Sequence, residues 1–179
     1  MTEIFDCKRC GVCCRNLIKT TSDGYTLGLA LIRGETALFP KDVVSPHIAV
    51  GLVEPSKIIS HQLSINVCPH IDAENRCLIY ERRPTACRAF PYSITASSVT
   101  AWPDCALIGE QMEAGRQPAM FSRVQSDAST DLSVYYFDMA LRHVPVGGKA
   151  WFFDLRDRAW KLTHGSPDIF RRRTSAVSR

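Results

Sequence analysis

The stretch Cys7-Lys8-Arg9-Cys10-Gly11-Val12-Cys13-Cys14 puts four cysteines into eight positions. It is too short and too punctuated for a regular element, and it reads as a loop wrapped around ligands. A C-x2-C step lets two thiolates bend round one metal within a single tight turn, and Gly11 permits backbone shapes that a side chain would forbid. Cys7, Cys10 and Cys13 repeat the step, so three thiolates can converge on one centre. Adjacent side chains tend to point apart. Cys13 and Cys14 therefore serve two centres, or one of them stands outside the ligand shell.

Working outward, Cys68, Cys77 and Cys87 follow at nearly even intervals, Cys105 is the eighth cysteine, and none comes after it. An even number suits disulfides. Against them, the N-terminus Met1-Thr2-Glu3-Ile4-Phe5-Asp6 has neither the basic nor the apolar segment of a secretory signal. The expected setting is a reducing cytosol, where cysteines seldom pair. Buried free thiols would account for Cys105 alone, but not for the spacing of the others. Metal ligation remains, with two sets of four cysteines and three products open: two tetrahedral zinc sites, one iron–sulfur cluster with spare ligands, or a mixture. Soft thiolates suit zinc and iron–sulfur alike, so ligand type does not choose between them. The C-x2-C-x2-C run has the spacing of bacterial ferredoxins and Cys68-Pro69 is similar to their closing Cys-Pro, although here the closing cysteine is remote in sequence.

Between Cys77 and Cys87 lies Tyr80-Glu81-Arg82-Arg83-Pro84, with Arg88-Ala89-Phe90-Pro91 just after. Four thiolates on one metal centre leave net negative charge, which Arg82, Arg83 and Arg88 would offset as neighbours of the ligands; the alternative is that they are surface charges. Pro84 and Pro91 stiffen the segment. His70 is the one histidine inside the cluster and is expected to support it rather than ligate. His47, His61, His143 and His164 have no partner at ligand spacing.

These motifs together, from Cys7 to Cys14, then Cys68-Pro69, then Cys77-x-Ile79-Tyr80-x2-Arg83-Pro84-x2-Cys87-Arg88-x-Phe90-Pro91, closely resemble the YkgJ-type cysteine-cluster family, described as a zinc- or iron-chelating domain. The resemblance covers about residues 5–105. It implies metal binding by Cys7, Cys10, Cys13, Cys14, Cys68, Cys77 and Cys87, with Cys105 as a further member. A similar cysteine pattern occurs in the flagellin lysine N-methylases, associated with an iron–sulfur cluster and S-adenosylmethionine. That likeness favours an iron–sulfur cluster, of the [4Fe–4S] kind, over zinc or iron ions. It does not extend to methyl transfer, since no glycine-rich nucleotide loop follows a strand.

The 179 residues, 45% hydrophobic and 22% charged, suit one globular domain over about 1–170 and exclude wholesale disorder. No apolar run reaches the roughly 18 residues that would cross a membrane. The net charge of +4 belongs to the tail: removing Arg171, Arg172, Arg173 and Arg179 from the 22 basic residues equals their number to the 18 acidic ones. The 171–179 tail is expected to be solvated, and nucleic-acid binding is disfavoured because no basic stripe is interleaved with aromatics.

The fold class expected is α+β, a small irregular domain of short helices and hairpins organised around the cysteines. Ser22-Asp23-Gly24 reads as a turn. A helix is predicted over 26–38, stopped by Pro40. Hairpins are predicted from 47–53 with 57–65, from 92–95 with 99–102, and from 151–155 with 158–163. Further helices are predicted over 106–114 and over 129–142. The latter is capped by Asp127 or Ser129 and carries a core stripe of Leu132, Tyr135, Tyr136 and Met139. Asp154, Asp157 and Asp168 read as turn residues. No nucleophile triad is legible, and catalytic residues are unassigned. The functions left open are a cytosolic metal-binding protein with a redox or accessory role beside a protein partner, a metal- or S-adenosylmethionine-dependent protein-modifying enzyme, and a structural zinc module.

Overall fold

In the computed structural model, residues 3–94 and 98–163 are described; Ala96, Ser97, His164, Asp168 and the arginine tail lie outside them. The organising element is a hairpin. Strands β4 (Val44–Gly51) and β5 (Lys57–Leu63) pair antiparallel around Glu54-Pro55-Ser56, with Val50 opposite Lys57. Ser56 closes the turn by donating its N–H to the Val50 carbonyl at 3.0 Å and its Oγ–H to the same oxygen at 3.1 Å. Pro46 cannot donate to a ladder, and it stands where β4 pairs on one side only, next to a register shift between Pro46 and Ile48.

Three more strands complete this sheet: β3 (Ala30–Leu31), β8 (Lys149–Asp154) and β9 (Ala159–Leu162), in the order β3-β5-β4-β8-β9. Two small hairpins stand apart from it. They are β1 (Lys19–Thr20) with β2 (Thr26–Leu27), joined through the expected Ser22-Asp23 turn, and β6 (Tyr92–Ile94) with β7 (Val99–Ala101). The helices are α1 (Thr85–Ala89), α2 (Ala106–Glu113) and α3 (Arg123–His143). Both sheet hairpins, the small β6–β7 hairpin and α2 match the sequence reading, and the mixed α and β architecture is as expected. No helix among the described residues is long and apolar enough to cross a membrane.

Helix α3 covers the sheet. Tyr136, Met139, Ala140 and Val144 meet Ile48, Val50, Ile59 and Ala150, so Tyr136 and Met139 of the predicted stripe pack on the core, while Leu132 and Tyr135 are not part of that cluster. Burying a side chain such as Ile48 or Val50 contributes about 1.5–3 kcal/mol. The helix starts earlier than its apolar periodicity, and neither Asp127 nor Ser129 caps it. Ser122 does: its Oγ accepts from the Val124 N–H at 3.2 Å, while Gln125 Oε1 accepts from the Ser122 N–H at 2.8 Å. This reciprocal cap contributes about 1 kcal/mol.

The helix predicted over 26–38 does not form. The chain there makes β2, β3 and a 3-10 turn at Glu35–Leu38. A Cβ at Gly28 would sit 1.8 Å from the Leu63 carbonyl oxygen, so Gly28 lets this segment lie flat against β5. Gly34 has φ +87°, the left-handed region that breaks a right-handed helix. Glu35 then captures the backbone, accepting from the Ile32 N–H at 2.9 Å and from the N–H and Oγ–H of Thr85 at 2.7 Å each.

Two buried polar residues pin the sheet. Gln62 donates to the Pro46 and Phe153 carbonyls and accepts from the Gly28 N–H, joining β5 to its neighbour β4, to β8 beyond it and to the segment before β3. Asp154 accepts from the Thr26 N–H and from the Arg156 and Asp157 N–H groups, each at 2.9 Å, and pairs with Lys161 at 3.1 Å. Burial alone would raise its pKa, but these donors and the lysine outweigh burial and hold it at about 2.

Candidate metal centre

The opening loop is positioned by a close approach. Gly11 has φ +74°, and a Cβ there would lie 2.7 Å from Ile71 Cδ1 and 2.8 Å from Asn75 Cβ. Only glycine lets 7–14 press against the 71–75 loop in this way. Around that contact, Arg15 donates to Asn75 Oδ1 at 2.9 and 3.1 Å, and the Cys68 N–H donates to the Cys14 carbonyl at 2.7 Å. A backbone bridge between Ile71 and Cys77, with the Leu78 N–H bonded to the His70 carbonyl at 2.8 Å, closes 68–78 into a compact loop. Cys87 sits in the middle of α1, and Cys105 is the capping residue of α2.

These segments surround one cavity of about 380 Å³, and all eight cysteines line it. None is in a disulfide. They line a shared space without meeting at a point: among the described residues, no three His, Cys, Asp or Glu side chains are gathered tightly enough to hold a single ion. Ser122, Val124 and Gln125, at the start of α3, complete the wall from beyond the cysteine-bearing part of the sequence.

The thiols are electrostatically unequal. A hydrogen bond from Cys14, opposed by burial and aided by backbone N–H groups and Arg83, brings Cys13 down to about 7. Cys14 is pushed strongly up, because as donor to Cys13 it must keep its proton, and burial and the charges of Cys13, Cys87 and Cys68 add to this. Burial pushes Cys87 up, with Cys13 and Cys68 adding and Arg83 opposing. Cys68 and Cys105 are likewise raised by burial, partly offset by the His70 N–H in one case and the Ile108 and Leu107 N–H groups in the other.

Of the three arginines expected beside the ligands, two line the cavity. Arg83 donates Nε–H to the Tyr80 carbonyl at 2.7 Å and lays its guanidinium 3.5 Å over the Tyr80 ring. Arg88 donates to Thr85 Oγ1 at 3.1 Å, while its buried Nε has no hydrogen-bond partner. An anionic sulfur centre in the cavity would supply the missing acceptor, and the donor set is the soft one that iron and zinc take. Arg82 corrects the expectation: it is exposed and off the cavity wall, because the 3-10 turn Tyr80–Arg82 directs the chain so that the next residue, Arg83, reaches inward.

His70 donates Nε2–H to the Leu38 carbonyl at 2.6 Å and packs on Phe39, a supporting role outside the cavity. The sequence reading missed Arg9, whose guanidinium lies 4.0 Å from the same Tyr80 ring; its place in Cys7-Lys8-Arg9-Cys10, beside the ligand candidates, was the available signal.

Such a donor set defines a thiolate-rich metal-binding domain. The CxxCxxCC family model, described as "Putative zinc- or iron-chelating domain", matches residues 6–106. That is more than half of the chain, and the protein belongs to this family. No curated protein and no solved structure matches it.

Proposed function

We propose that the cavity holds an iron–sulfur cluster and that the protein does redox or accessory work in the cytosol, beside a protein partner. The observation that carries this reading is the wall itself: eight free thiols and three arginines, Arg9, Arg83 and Arg88, spread around one cavity. Donors spread round a space, with no three drawn to one point, suit a group of several atoms better than a lone ion. When bound, such a cluster supplies one-electron chemistry. The chain's own residues hold it through cysteine sulfur, offset its charge through Arg83, and give it a hydrogen-bond donor in Arg88 Nε.

The test is elemental analysis with acid-labile sulfide on anaerobically purified protein. Iron and sulfide in similar amounts, in a brown protein, are expected. A colourless protein carrying stoichiometric zinc and no sulfide overturns the cluster and leaves a structural zinc module.

A further inference from the structure

The mouth of the cavity carries guanidinium groups that the thiols do not account for. Lys8, Arg9 and Cys10 are exposed and also line the wall, which places them at the opening; Cys10 is the one exposed cysteine of the eight. Two guanidinium groups stack on the ring of Tyr80, Arg9 at 4.0 Å and Arg83 at 3.5 Å from its centroid. Arg82, between Glu81 and Arg83 of the wall, is exposed.

Among the described residues, no carboxylate stands at ion-pair distance from Arg9, Arg82 or Arg83. Asp6 and Glu81, the acids of the wall, pair with none of them, and Lys8 has only a long contact to Glu110 at 3.9 Å. An aromatic face attracts a cation and holds its planar fork in place, but leaves the N–H donors at its edge free. Arg83 uses one of these on the Tyr80 carbonyl, whereas Arg9 makes no hydrogen bond among the described residues. Arg9 also has φ +53°, a left-handed backbone that residues other than glycine seldom adopt. Val12 and Val124 are exposed apolar parts of the same wall. Apolar side chains among arginines are the composition of a protein interface.

Resting on the reading that the protein works beside a protein partner, we propose that this mouth is the docking surface for an acidic segment of that partner. Its carboxylates pair with Arg9 and Arg82, and its apolar side chains cover Val12 and Val124. Arg83, half-buried and bonded to the Tyr80 carbonyl, stays with the cavity and keeps the ring in place. The mixture of charges selects protein over nucleic acid. A phosphate backbone carries unbroken negative charge, which Asp6 and Glu81 repel, whereas a peptide can set a neutral or basic residue opposite them. Docking here brings the partner to Cys10, where the thiol-lined space opens to solvent.

The experiment uses the whole chain, purified anaerobically, with Arg171→Gln, Arg172→Gln and Arg173→Gln so that the basic tail does not take up the probe. A fluorescein-labelled decapeptide of glutamate, leucine and glycine is titrated in and followed by anisotropy. Binding is expected. Arg9→Gln with Arg82→Gln is expected to weaken it about tenfold, the loss of two surface ion pairs. Arg158→Gln, on the β8–β9 turn, is expected to leave it unchanged. Equal weakening by Arg158→Gln, or no binding at all, overturns the proposal. So does tighter binding of single-stranded DNA of equal length, or binding of free glutarate as tight as the peptide's, through the same two arginines. Should the double variant fail to fold, Arg82→Glu alone decides, with the same loss expected. Iron and sulfide are measured on the same samples. Full metal with binding that ignores Arg9 and Arg82 refutes the docking surface alone, and arginine-dependent binding by a chain without iron refutes the cluster alone.

Discussion

The sheet and the cysteine-lined region are held by different physics. In the sheet, strand ladders satisfy the backbone, α3 covers an apolar face, and Gln62 and Asp154 tie strands together from within. Around the cavity there are 3-10 turns, the five-residue α1, the first turns of α2 and α3, and loops, joined by hydrogen bonds such as Cys68 to Cys14. The first region can stand on burial and hydrogen bonding, whereas the second gathers thiols that a metal would cross-link. Stability and chemistry are thus placed in separate halves of one molecule.

The strongest way to break this contrast is to remove the metal. A structural thiolate metal carries on the order of 10 kcal/mol of folding free energy. Chelation is expected to release amide-exchange protection across 7–18 and 66–90 while β4, β5 and β8 keep theirs. Equal loss everywhere would mean that the sheet depends on the metal too.

Acid attacks the other half. His47 is buried beside Phe152, shares a hydrogen bond with Ser60 at 3.2 Å, and is held down to about 4 by burial, with the charge of His61 adding. Its folded-state pKa lies below the ordinary 6.5, so the unfolded chain binds the proton first. The stability it contributes is present above about 6.5 and is lost as pH falls towards 4, on the order of 3 kcal/mol in all. Denaturant melts from pH 7 to 4 should show this loss, and His47→Gln should flatten it. An unchanged slope in the variant would assign the loss elsewhere.

Gly11→Ala is the smallest and sharpest probe. A left-handed alanine costs about 1–3 kcal/mol, and here its Cβ would also meet Asn75 Cβ at 2.8 Å. The expected result is weakened metal retention in competition with a chelator, with the sheet's exchange protection unchanged. Unaltered retention would show that the opening loop is not fixed by its contact with 71–75.

How legible each half was in the sequence follows the same division. The hairpins around Glu54-Pro55-Ser56 and Arg156-Asp157 were legible because alternation and turn residues are local signals. The 26–38 segment was misread because its strand is imposed from afar, by the Leu63 carbonyl under Gly28 and by Thr85 drawing on Glu35. The first six residues of α3 were missed because Arg123, Gln125 and Asp127 show no apolar period, while the cap is a Ser122–Gln125 exchange. In the candidate site, cysteine spacing announced the chemistry, but not that all eight share one cavity. Spacing also could not separate Arg83 from Arg82, since a turn of the backbone decides which guanidinium faces in.

The cavity wall has a consequence in time. Its last pieces, Ser122, Val124 and Gln125, follow Cys105 in the chain. At roughly 5–20 residues per second, synthesis leaves the full set of thiols without that cover for about 1–4 s. Through that interval the nascent chain presents every sulfur and lacks the side of the vessel that α3 provides. The thiols are covered on that side only once α3 (Arg123–His143) has docked.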